Sequence, residues 1–380
     1  MSFLHATFHT QDRWQSLKPN FMKQAVLIAF GILISFFSFG QTEKTISENI
    51  ANILFEKTKD YPKNSEFSIA FIKNENVSYY GFKRVNDTIE YIENSEKVFE
   101  IGSITKVFTS TLLANFVLDQ KIKLDDPIQN YFNFPLKNKQ LKVIQLANHT
   151  SGLPRLPSNL NLSEVDQSNP YNEYNEDKLK DYLTNELELD SLAGSNYEYS
   201  NSGAGILGYL LETQADSDYE TLLKKYITSK YGMNNTTTNI KNVQENLIKG
   251  RDSIGNETSN WNLNALVGAG GILSNVEDLA KFTIAQFNPG NKELALTIKS
   301  TFEIPKYRME VGLAWNIIKP EPKLTWYMHN GGTGGYSSIM AMDSENKIGI
   351  IILSNVSSFH NKARNIDQLC LGLMQNQYKK

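Results

Sequence analysis

A serine and a lysine separated by two residues form the first pattern in this sequence that is suited to chemistry. They are Ser103 and Lys106, in the run Phe-Glu-Ile-Gly-Ser-Ile-Thr-Lys that ends at Lys106. On a helix this spacing places both side chains on one face, one turn apart. A lysine with a lowered pKa can accept the proton of a serine hydroxyl, which makes the serine a nucleophile. The alternative is a purely structural role, with the serine as a helix cap and the lysine exposed to solvent.

A second Ser-x-x-Lys pattern competes with the first. It runs from Ser344 to Lys347 and overlaps the turn-forming residues Asp343 to Asn346, which separate two apolar runs. Such a segment predicts a hairpin turn, where no helix brings the serine and the lysine together. The setting therefore favours Ser103.

A tyrosine and an asparagine, Tyr199 and Asn201, form the second pattern. A tyrosinate held near Lys106 would share the proton of the serine and later protonate the leaving group, and Asn201 would donate to a substrate carbonyl. The alternatives are a core tyrosine and a helix cap. Tyr131 and Asn133 have the same spacing, but they follow an amphipathic segment and are interpreted as core.

A glycine-rich run, His329-Asn330-Gly331-Gly332-Thr333-Gly334-Gly335, follows a predicted strand and forms the third pattern. Glycines let a substrate lie flush against an edge strand, because no Cβ obstructs it. A strand histidine without substrate contact is the alternative for His329. The competing Lys230-Tyr231-Gly232 ends a predicted helix, where a glycine has a structural reason.

Strands at both ends of the chain and helices between them must position these patterns. Strands are predicted at 67–72 and 77–82 and again at 311–318, 324–329, 336–342 and 347–353. Helices are predicted at 45–57, after Ser103 and around 366–373. We therefore expect an α/β (α+β) fold: an antiparallel sheet flanked by N- and C-terminal helices, with an inserted, mostly helical region. The α/β part takes about 43–110 and 295–380, and the helical part about 111–294.

The N-terminus predicts export. Residues 25–39 are almost all apolar and are followed by Gly40, with Ser38 two residues earlier, which suits cleavage before Gln41. We assign 1–40 as a leader, with a signal peptide at 22–40, and 43–380 as the hydrolase domain. An uncleaved N-terminal anchor is the alternative; otherwise no stable membrane insertion is expected. Residues 1–21 are either an extended leader or an over-long start.

Charge and composition exclude several classes of protein. Lys and Arg total 38 against 41 Asp and Glu, so the net charge of −3 offers no basic excess for nucleic acid. The single cysteine, Cys370, excludes intramolecular disulfides. Neither a Gly-x-Ser-x-Gly motif nor a metal-binding histidine pair is present. We expect no metal, no cofactor and a monomer.

The three patterns, with 146–154 (Leu-Ala-Asn-His-Thr-Ser-Gly-Leu-Pro) and 268–272 (Gly-Ala-Gly-Gly-Ile), resemble the serine beta-lactamase and penicillin-binding-protein superfamily. The class C beta-lactamase and D-alanyl-D-alanine carboxypeptidase branch is the most similar. The resemblance covers the chain from about Thr45 to its C-terminus. It implies an exported enzyme of the periplasm or medium of a bacterium, acting on a small-molecule or peptidoglycan-peptide substrate.

The resemblance also implies residue roles. Ser103 would be the acylated nucleophile, Lys106 its proton acceptor and Tyr199 the acid/base partner. The backbone N–H groups of Ser103 and Gly332 would form the oxyanion hole. Substrate contacts would come from Asn201, His329, Asn330 and Gly331. We interpret His149 separately, as a structural residue that ties down a loop near the site.

Two departures from the family pattern bear on the substrate. Efficient beta-lactamases usually have Lys-Thr-Gly where this chain has His329, Asn330 and Gly331, and a histidine holds a carboxylate less firmly than a lysine does. Thr105 stands where Ser or Ala is usual, a minor change. The expected substrates are beta-lactams or D-Ala-D-Ala-type amides. An esterase or D-aminopeptidase is the alternative, and a non-catalytic sensor of muropeptides or beta-lactams is a more distant one.

Overall fold

The computed structural model describes residues 48–378. The predicted leader at 1–40 and its signal peptide at 22–40 lie outside the described residues. Within the described part of the chain, no helix is both long enough and apolar enough to cross a membrane.

Eleven strands are found in the described residues. They are β1 (Glu66–Lys73), β2 (Asn76–Val85), β3 (Thr88–Ile92), β4 (Phe99–Glu100), β5 (Leu273–Ser274), β6 (Phe302–Ile304), β7 (Met309–Val311), β8 (Asn316–Ile318), β9 (Trp326–Gly332), β10 (Ser337–Asp343) and β11 (Ile348–Ser354).

The same residues form eleven α-helices. They are α1 (Glu48–Thr58), α2 (Thr105–Leu118), α3 (Val143–Ala147), α4 (Glu176–Asp181), α5 (Asn201–Ala215), α6 (Tyr219–Leu223), α7 (Ser229–Tyr231), α8 (Val267–Gly270), α9 (Val276–Gln286), α10 (Lys292–Thr297) and α11 (Asn365–Asn376).

Nine of the strands form one antiparallel sheet in the order β3-β2-β1-β11-β10-β9-β8-β7-β6. Because β1 pairs with β11 from Phe67↔Ser354 to Lys73↔Ile348, the two ends of the chain meet in the middle of the sheet. β4 and β5 form a separate two-stranded ladder. The predicted fold class, an antiparallel sheet built from both ends of the chain around a helical insertion, is confirmed.

Helices cover both faces of the sheet at its centre. Every residue of β10 and β11 is buried, which is typical of strands covered on both sides. α9 packs on β1 and β11, and α11 packs on β10 and β11. On the α9 face, the hydroxyl of Thr283 donates to Met340, the cross-strand partner of His329. Cross-strand partners share a face, so His329 faces the helical insertion.

One predicted strand is two strands. The apolar run 311–318 reverses direction at Gly312–Trp315, where the N–H of Gly312 donates to the carbonyl of Trp315 and Ala314 has φ +64°. The N–H of Ala314 donates to the carbonyl of Ala147, at the end of α3. The turn is buried against the helical region, so its residues are apolar and carry none of the usual composition of a turn.

The helix that follows Ser103 is central to the helical region. α2 is buried around nearly its whole circumference and is in contact with α5, α8 and α10. A single turn of 3-10 helix, Gly102–Ile104, precedes it. The predicted helix after Ser103 is therefore present, and its buried setting fixes the start of the helix against the sheet.

Candidate active site

Ser103 and Lys106 lie at the start of α2, where the tight turn brings their side chains together. The Nζ of Lys106 is 3.0 Å from the Oγ of Ser103. The same Nζ donates to the carbonyl of Ala269 in α8, at 2.6 Å. Lys106 is 1% exposed. The amine is thus held between the serine and a fixed carbonyl and is shielded from solvent.

The charge state of Lys106 follows from this burial. Loss of solvation lowers the pKa of Lys106 well below its ordinary value, and the positive charge of Arg155 lowers it further. A neutral amine has two N–H groups and one lone pair. When one N–H donates to Ala269, the lone pair can accept the proton of the Ser103 hydroxyl.

Tyr199 completes a cluster around the lysine. The Nζ of Lys106 is 4.9 Å from the centre of the Tyr199 ring. Burial raises the pKa of Tyr199, although interactions with the Ser103 side chain and the charge of Arg155 oppose the rise. This shift favours the protonated hydroxyl over the tyrosinate form. A tyrosine in this state can donate a proton to a leaving group.

The loop from His149 to Arg155 fixes the position of Tyr199. The Nδ1 of His149 accepts from the N–H of Ser200 at 3.3 Å, and the carbonyl of His149 accepts from the N–H of Glu198 at 2.8 Å. The His149 ring also lies against the Tyr199 ring, with 4.4 Å between centres. The hydroxyl of Ser200 donates to the carbonyl of Pro154 at 2.7 Å. The structure thus places His149 at the Tyr199 segment.

Strand β9 has a free edge beside the serine. β8 pairs with β9 only from Trp326 to Met328, which leaves His329–Gly332 without a ladder partner on that side. On the other side, Ser337 pairs with Gly332, and the N–H of Thr333 donates to the carbonyl of Tyr336. Since hydrogen-bonded pairs alternate along an antiparallel ladder, the N–H of Gly332 points away from β10, toward the free edge.

Glycines let β9 approach Ser103 closely. A Cβ at Gly331 would lie 2.0 Å from the carbonyl oxygen of Ile101 and 2.8 Å from the nitrogen of Ser103. A Cβ at Gly102, where φ is +50°, would lie 2.4 Å from the nitrogen of Gly332. All three distances are shorter than a real Cβ contact, so the two backbones can touch only because side chains are absent. The structure thus brings the backbone around Ser103 into contact with the backbone of Gly331 and Gly332.

His329 lies on the cleft side of β9 and is neutral. It is 1% exposed, and burial together with the charge of Lys106 lowers the pKa of His329 to about 3. Its Nδ1 is 2.6 Å from the carbonyl oxygen of Asn330, a distance at which the N–H donates. A neutral, enclosed imidazole supplies no positive charge to a substrate carboxylate.

Asn330 is the predicted site residue that the structure does not bring to the serine. Its side chain is exposed, and its Nδ2 donates to Asp367 of α11 at 3.0 Å, on the opposite face of the sheet from His329. The reason is the period of two along a strand, which directs the side chains of adjacent residues to opposite faces. The expected substrate contact of Asn330 is incompatible with this orientation.

Asn201 lies at the first turn of α5. Its N–H donates to the carbonyl of Arg155 at 2.9 Å, and Ser200 caps the helix by accepting from Gly203 at 3.0 Å. The Oδ1 of Asn201 is buried and has no hydrogen-bond partner. The side chain also contacts the hydroxyl of Tyr171, a residue of the polar segment 154–195. That segment therefore borders the site beside Asn201.

Two charged residues near the serine escaped the sequence analysis. Glu100 is buried three residues before Ser103, and its Oε1 accepts from the Trp261 N–H and the Asn260 Nδ2, both at 2.8 Å. The guanidinium carbon of Arg155 is 5.3 Å from the centre of the Tyr199 ring. Their positions in the sequence could have indicated both residues: Glu100 lies within Phe-Glu-Ile-Gly-Ser, and Arg155 directly follows the motif that ends at Pro154. Among residues 48–378 no group of acidic, histidine and cysteine side chains is placed to hold a metal ion.

The sequence is similar to known proteins. A family model described as Beta-lactamase matches residues 64–370. A beta-lactamase of Pseudomonas fluorescens is 24% identical over 327 residues, which cover 76% of this chain and 87% of that protein. Protein flp of Staphylococcus aureus (strain MRSA252) is 25% identical over 322 residues, or 77% of this chain and 59% of flp.

Solved structures show the same fold. A beta-lactamase/D-alanine carboxypeptidase from Pseudomonas syringae superimposes with a TM-score of 0.73 at 20% identity, covering 87% of this chain and 98% of that one. An octameric penicillin-binding protein homologue from Pyrococcus abyssi superimposes with a TM-score of 0.70 at 23% identity, covering 85% of this chain and 77% of that one. Because the family model matches residues 64–370, which are more than half of the chain, the chain belongs to the beta-lactamase family.

Proposed function

We propose that this chain is an exported serine hydrolase that forms a covalent acyl-enzyme on Ser103 and hydrolyses beta-lactams or D-Ala-D-Ala-type peptide amides. The observation that carries the proposal is the 3.0 Å distance between the Nζ of the buried Lys106 and the Oγ of Ser103. A buried amine with a lowered pKa beside a serine hydroxyl has little structural purpose, because burying an ionisable group is costly.

Acylation would proceed by proton transfer and attack. Neutral Lys106 accepts the proton of the Ser103 hydroxyl while the oxygen attacks the substrate carbonyl. The N–H groups of Ser103 and Gly332 stabilise the resulting oxyanion, each contributing about 3 kcal/mol when well aimed. The protonated Tyr199 then donates to the leaving group as the bond between the carbonyl carbon and the leaving group breaks and the carbonyl re-forms. The same groups, acting in reverse order, would activate water for deacylation.

The neutral His329 favours a second candidate, an esterase or D-aminopeptidase of the same family. Beta-lactams and D-Ala-D-Ala peptides carry a carboxylate on the leaving side of the scissile bond. At neutral pH the third motif offers that carboxylate no positive charge, since the pKa of His329 is lowered to about 3. Substrates without this carboxylate lose less binding energy when a histidine stands where the family usually has a lysine. A non-catalytic sensor is the weaker alternative, because binding alone has no need of the Lys106–Ser103 pair.

The proposal is tested by labelling with a fluorescent penicillin and by intact-mass analysis, with release of p-nitrophenolate from an activated ester as a second readout. We expect a covalent adduct and ester turnover that both disappear in Ser103→Ala. Ser344→Ala, in the second Ser-x-x-Lys pattern, is the matched control and keeps both. An adduct that persists in Ser103→Ala, or no Ser103-dependent reaction with either reagent, overturns the proposal. Nitrocefin turnover and D-alanine release then separate lactamase from carboxypeptidase.

A further inference from the structure

Arg155 presents a charged side chain at the mouth of the site. Its backbone is fixed, because its carbonyl accepts from the N–H groups of Asn201 and Ser202 at 2.9 and 3.2 Å. Its guanidinium carbon lies 5.3 Å from the centre of the Tyr199 ring. The residue is exposed, so the guanidinium is in contact with both the catalytic cluster and solvent.

This guanidinium has no ionic partner in the described residues. No carboxylate of residues 50–378 lies within 4.0 Å of a nitrogen of Arg155, and its side chain makes no hydrogen bond there. Five N–H donors in a planar fork suit a carboxylate, which they can bind through two parallel hydrogen bonds. An unpaired guanidinium over the ring of Tyr199 is therefore suited to an anionic ligand.

The other basic groups of the cluster cannot take this role. Lys106 is buried and has a lowered pKa, and its Nζ already contacts Ser103 and Ala269. Burial also lowers the pKa values of His149 and His329, so both imidazoles are neutral at pH 7. Arg155 is thus the permanent positive charge of this cluster.

The backbone contacts of Arg155 indicate which part of a substrate it would meet. They are made to the first residues of α5, where Asn201 is the proposed donor to a substrate carbonyl. The proposed oxyanion donors lie elsewhere, at the start of α2 and on β9. A substrate whose acyl group supplies the carbonyl bound by Asn201 would direct that acyl group toward Arg155.

We infer that Arg155 binds a carboxylate on the acyl part of the substrate, so that the enzyme prefers acyl groups that end in an anion. This inference rests on the proposed function, because it needs an acyl group transferred to Ser103. It names the substrate class more narrowly, as esters or amides of dicarboxylic or other anionic acyl groups.

The test compares two esters that differ only at the far end of the acyl chain. p-Nitrophenyl hydrogen adipate and p-nitrophenyl hexanoate have six-carbon acyl groups and the same leaving group. In both, the Ser103 oxygen forms the acyl bond and p-nitrophenolate departs with the electron pair of the broken C–O bond. Water then releases adipate or hexanoate and restores the serine. Rates with Ser103→Ala are subtracted as background.

We expect kcat/KM for the adipate ester to exceed that for the hexanoate ester by about fivefold, the upper end of the range for an exposed charge pair. In Arg155→Met the ratio falls to about 1, and in Arg155→Lys an intermediate ratio remains, because lysine keeps the charge without the fork. Arg364→Met is the matched control: it removes an exposed arginine at the start of α11, on the other face of the sheet, and keeps the wild-type ratio.

The outcomes separate the two proposals. Equal, Ser103-dependent turnover of the two esters by the wild type, or a ratio unchanged in Arg155→Met, overturns the role of Arg155 and leaves the hydrolase proposal intact. No Ser103-dependent turnover of either ester overturns the role of Arg155 together with the proposed function. The ratio within one variant is independent of how much of that variant is folded, so a loss of stability does not affect the comparison.

Discussion

Replacing Gly331 by alanine should separate β9 from the catalytic serine. A Cβ at this position would lie 2.0 Å from the carbonyl oxygen of Ile101 and 2.8 Å from the nitrogen of Ser103. A carbon and an oxygen in contact need about 3.3 Å, so the strand must retreat by roughly 1 Å. The retreat moves Gly332, the second proposed oxyanion donor, by a similar distance.

The expected loss of rate follows from that displacement. A shift of about 1 Å in a catalytic group costs on the order of 100-fold, and loss of one oxyanion donor costs a similar factor. We therefore expect kcat/KM for p-nitrophenyl hexanoate to fall about 100-fold, equivalent to roughly 2.7 kcal/mol of transition-state stabilisation. The substitution also crowds a packed site and should lower the free energy of unfolding by about 1–3 kcal/mol.

Two other glycines provide controls for stability and for the substitution itself. A Cβ at Gly372, on the exposed face of α11, would meet nothing within 4 Å, and Gly372→Ala should stabilise the helix by about 1 kcal/mol. Gly232 also has open space, but its φ of +67° makes Gly232→Ala destabilising by about 1 kcal/mol. Both controls should keep wild-type kcat/KM per folded molecule.

The assay is ester hydrolysis combined with thermal unfolding followed by circular dichroism. If Gly331→Ala kept kcat/KM within about threefold of the wild type while folded, the proposed contact between β9 and the oxyanion site would be refuted. A loss of activity in Gly232→Ala equal to that in Gly331→Ala would show that the assay reports stability and not geometry.

Three further predictions concern charge and orientation in the site. Lys106→Met should lower acylation by more than about 10³-fold. Because the pKa of Lys106 is lowered on folding, the unfolded chain binds the extra proton, and the wild type should lose stability relative to Lys106→Met as the pH falls below 10.5; melting temperatures at pH 9 and pH 6 test this, and a constant difference contradicts it. For the same reason His149 and His329, with lowered pKa values, should each reduce the free energy of unfolding by about 1.4 kcal/mol per unit as the pH falls below 6.5, down to about pH 3 for His329. His329→Gln should remove one of these two contributions, which urea titrations at pH 7 and pH 5 would measure. If the free energy of unfolding of the variant changed with pH as much as that of the wild type, His329 would not be a buried, neutral imidazole. Asn330→Ala should keep the acylation rate and cost about 1 kcal/mol of stability, since Asp367 loses a hydrogen bond; a slower acylation would place Asn330 in the site after all.

Local spacing made the Ser103–Lys106 pair predictable from the sequence. Three residues on a helix fix the direction of both side chains, whatever the rest of the chain does. The sheet was predictable for a similar reason, because the buried strands are continuous β-branched and apolar runs at both ends of the chain. The setting of the second Ser-x-x-Lys, between β10 and β11, also followed from local composition, and the structure places it in a turn.

Orientation and charge state were harder to predict. Asn330 was treated as part of a motif, although its position next to His329 in a strand already implied the opposite face. The protonated state of Tyr199 depends on burial by segments distant in the sequence, which no local pattern encodes. The turn at Gly312–Trp315 was missed because apolar residues can form a turn when the helical region covers it.

The pairing of β1 with β11 sets a time order for the maturation of the site. Among the strands of residues 48–378, Ile348–Ser354 at the centre of the sheet is the last to be synthesised, and its partner Glu66–Lys73 is the first. A chain still attached to the ribosome cannot complete the sheet until that final strand has emerged, and contacts between such distant segments form slowly. β9, which carries Gly332 beside Ser103, is therefore joined by β10 and β11 only at the end of synthesis, so the Ser103 side of the sheet is completed late in folding.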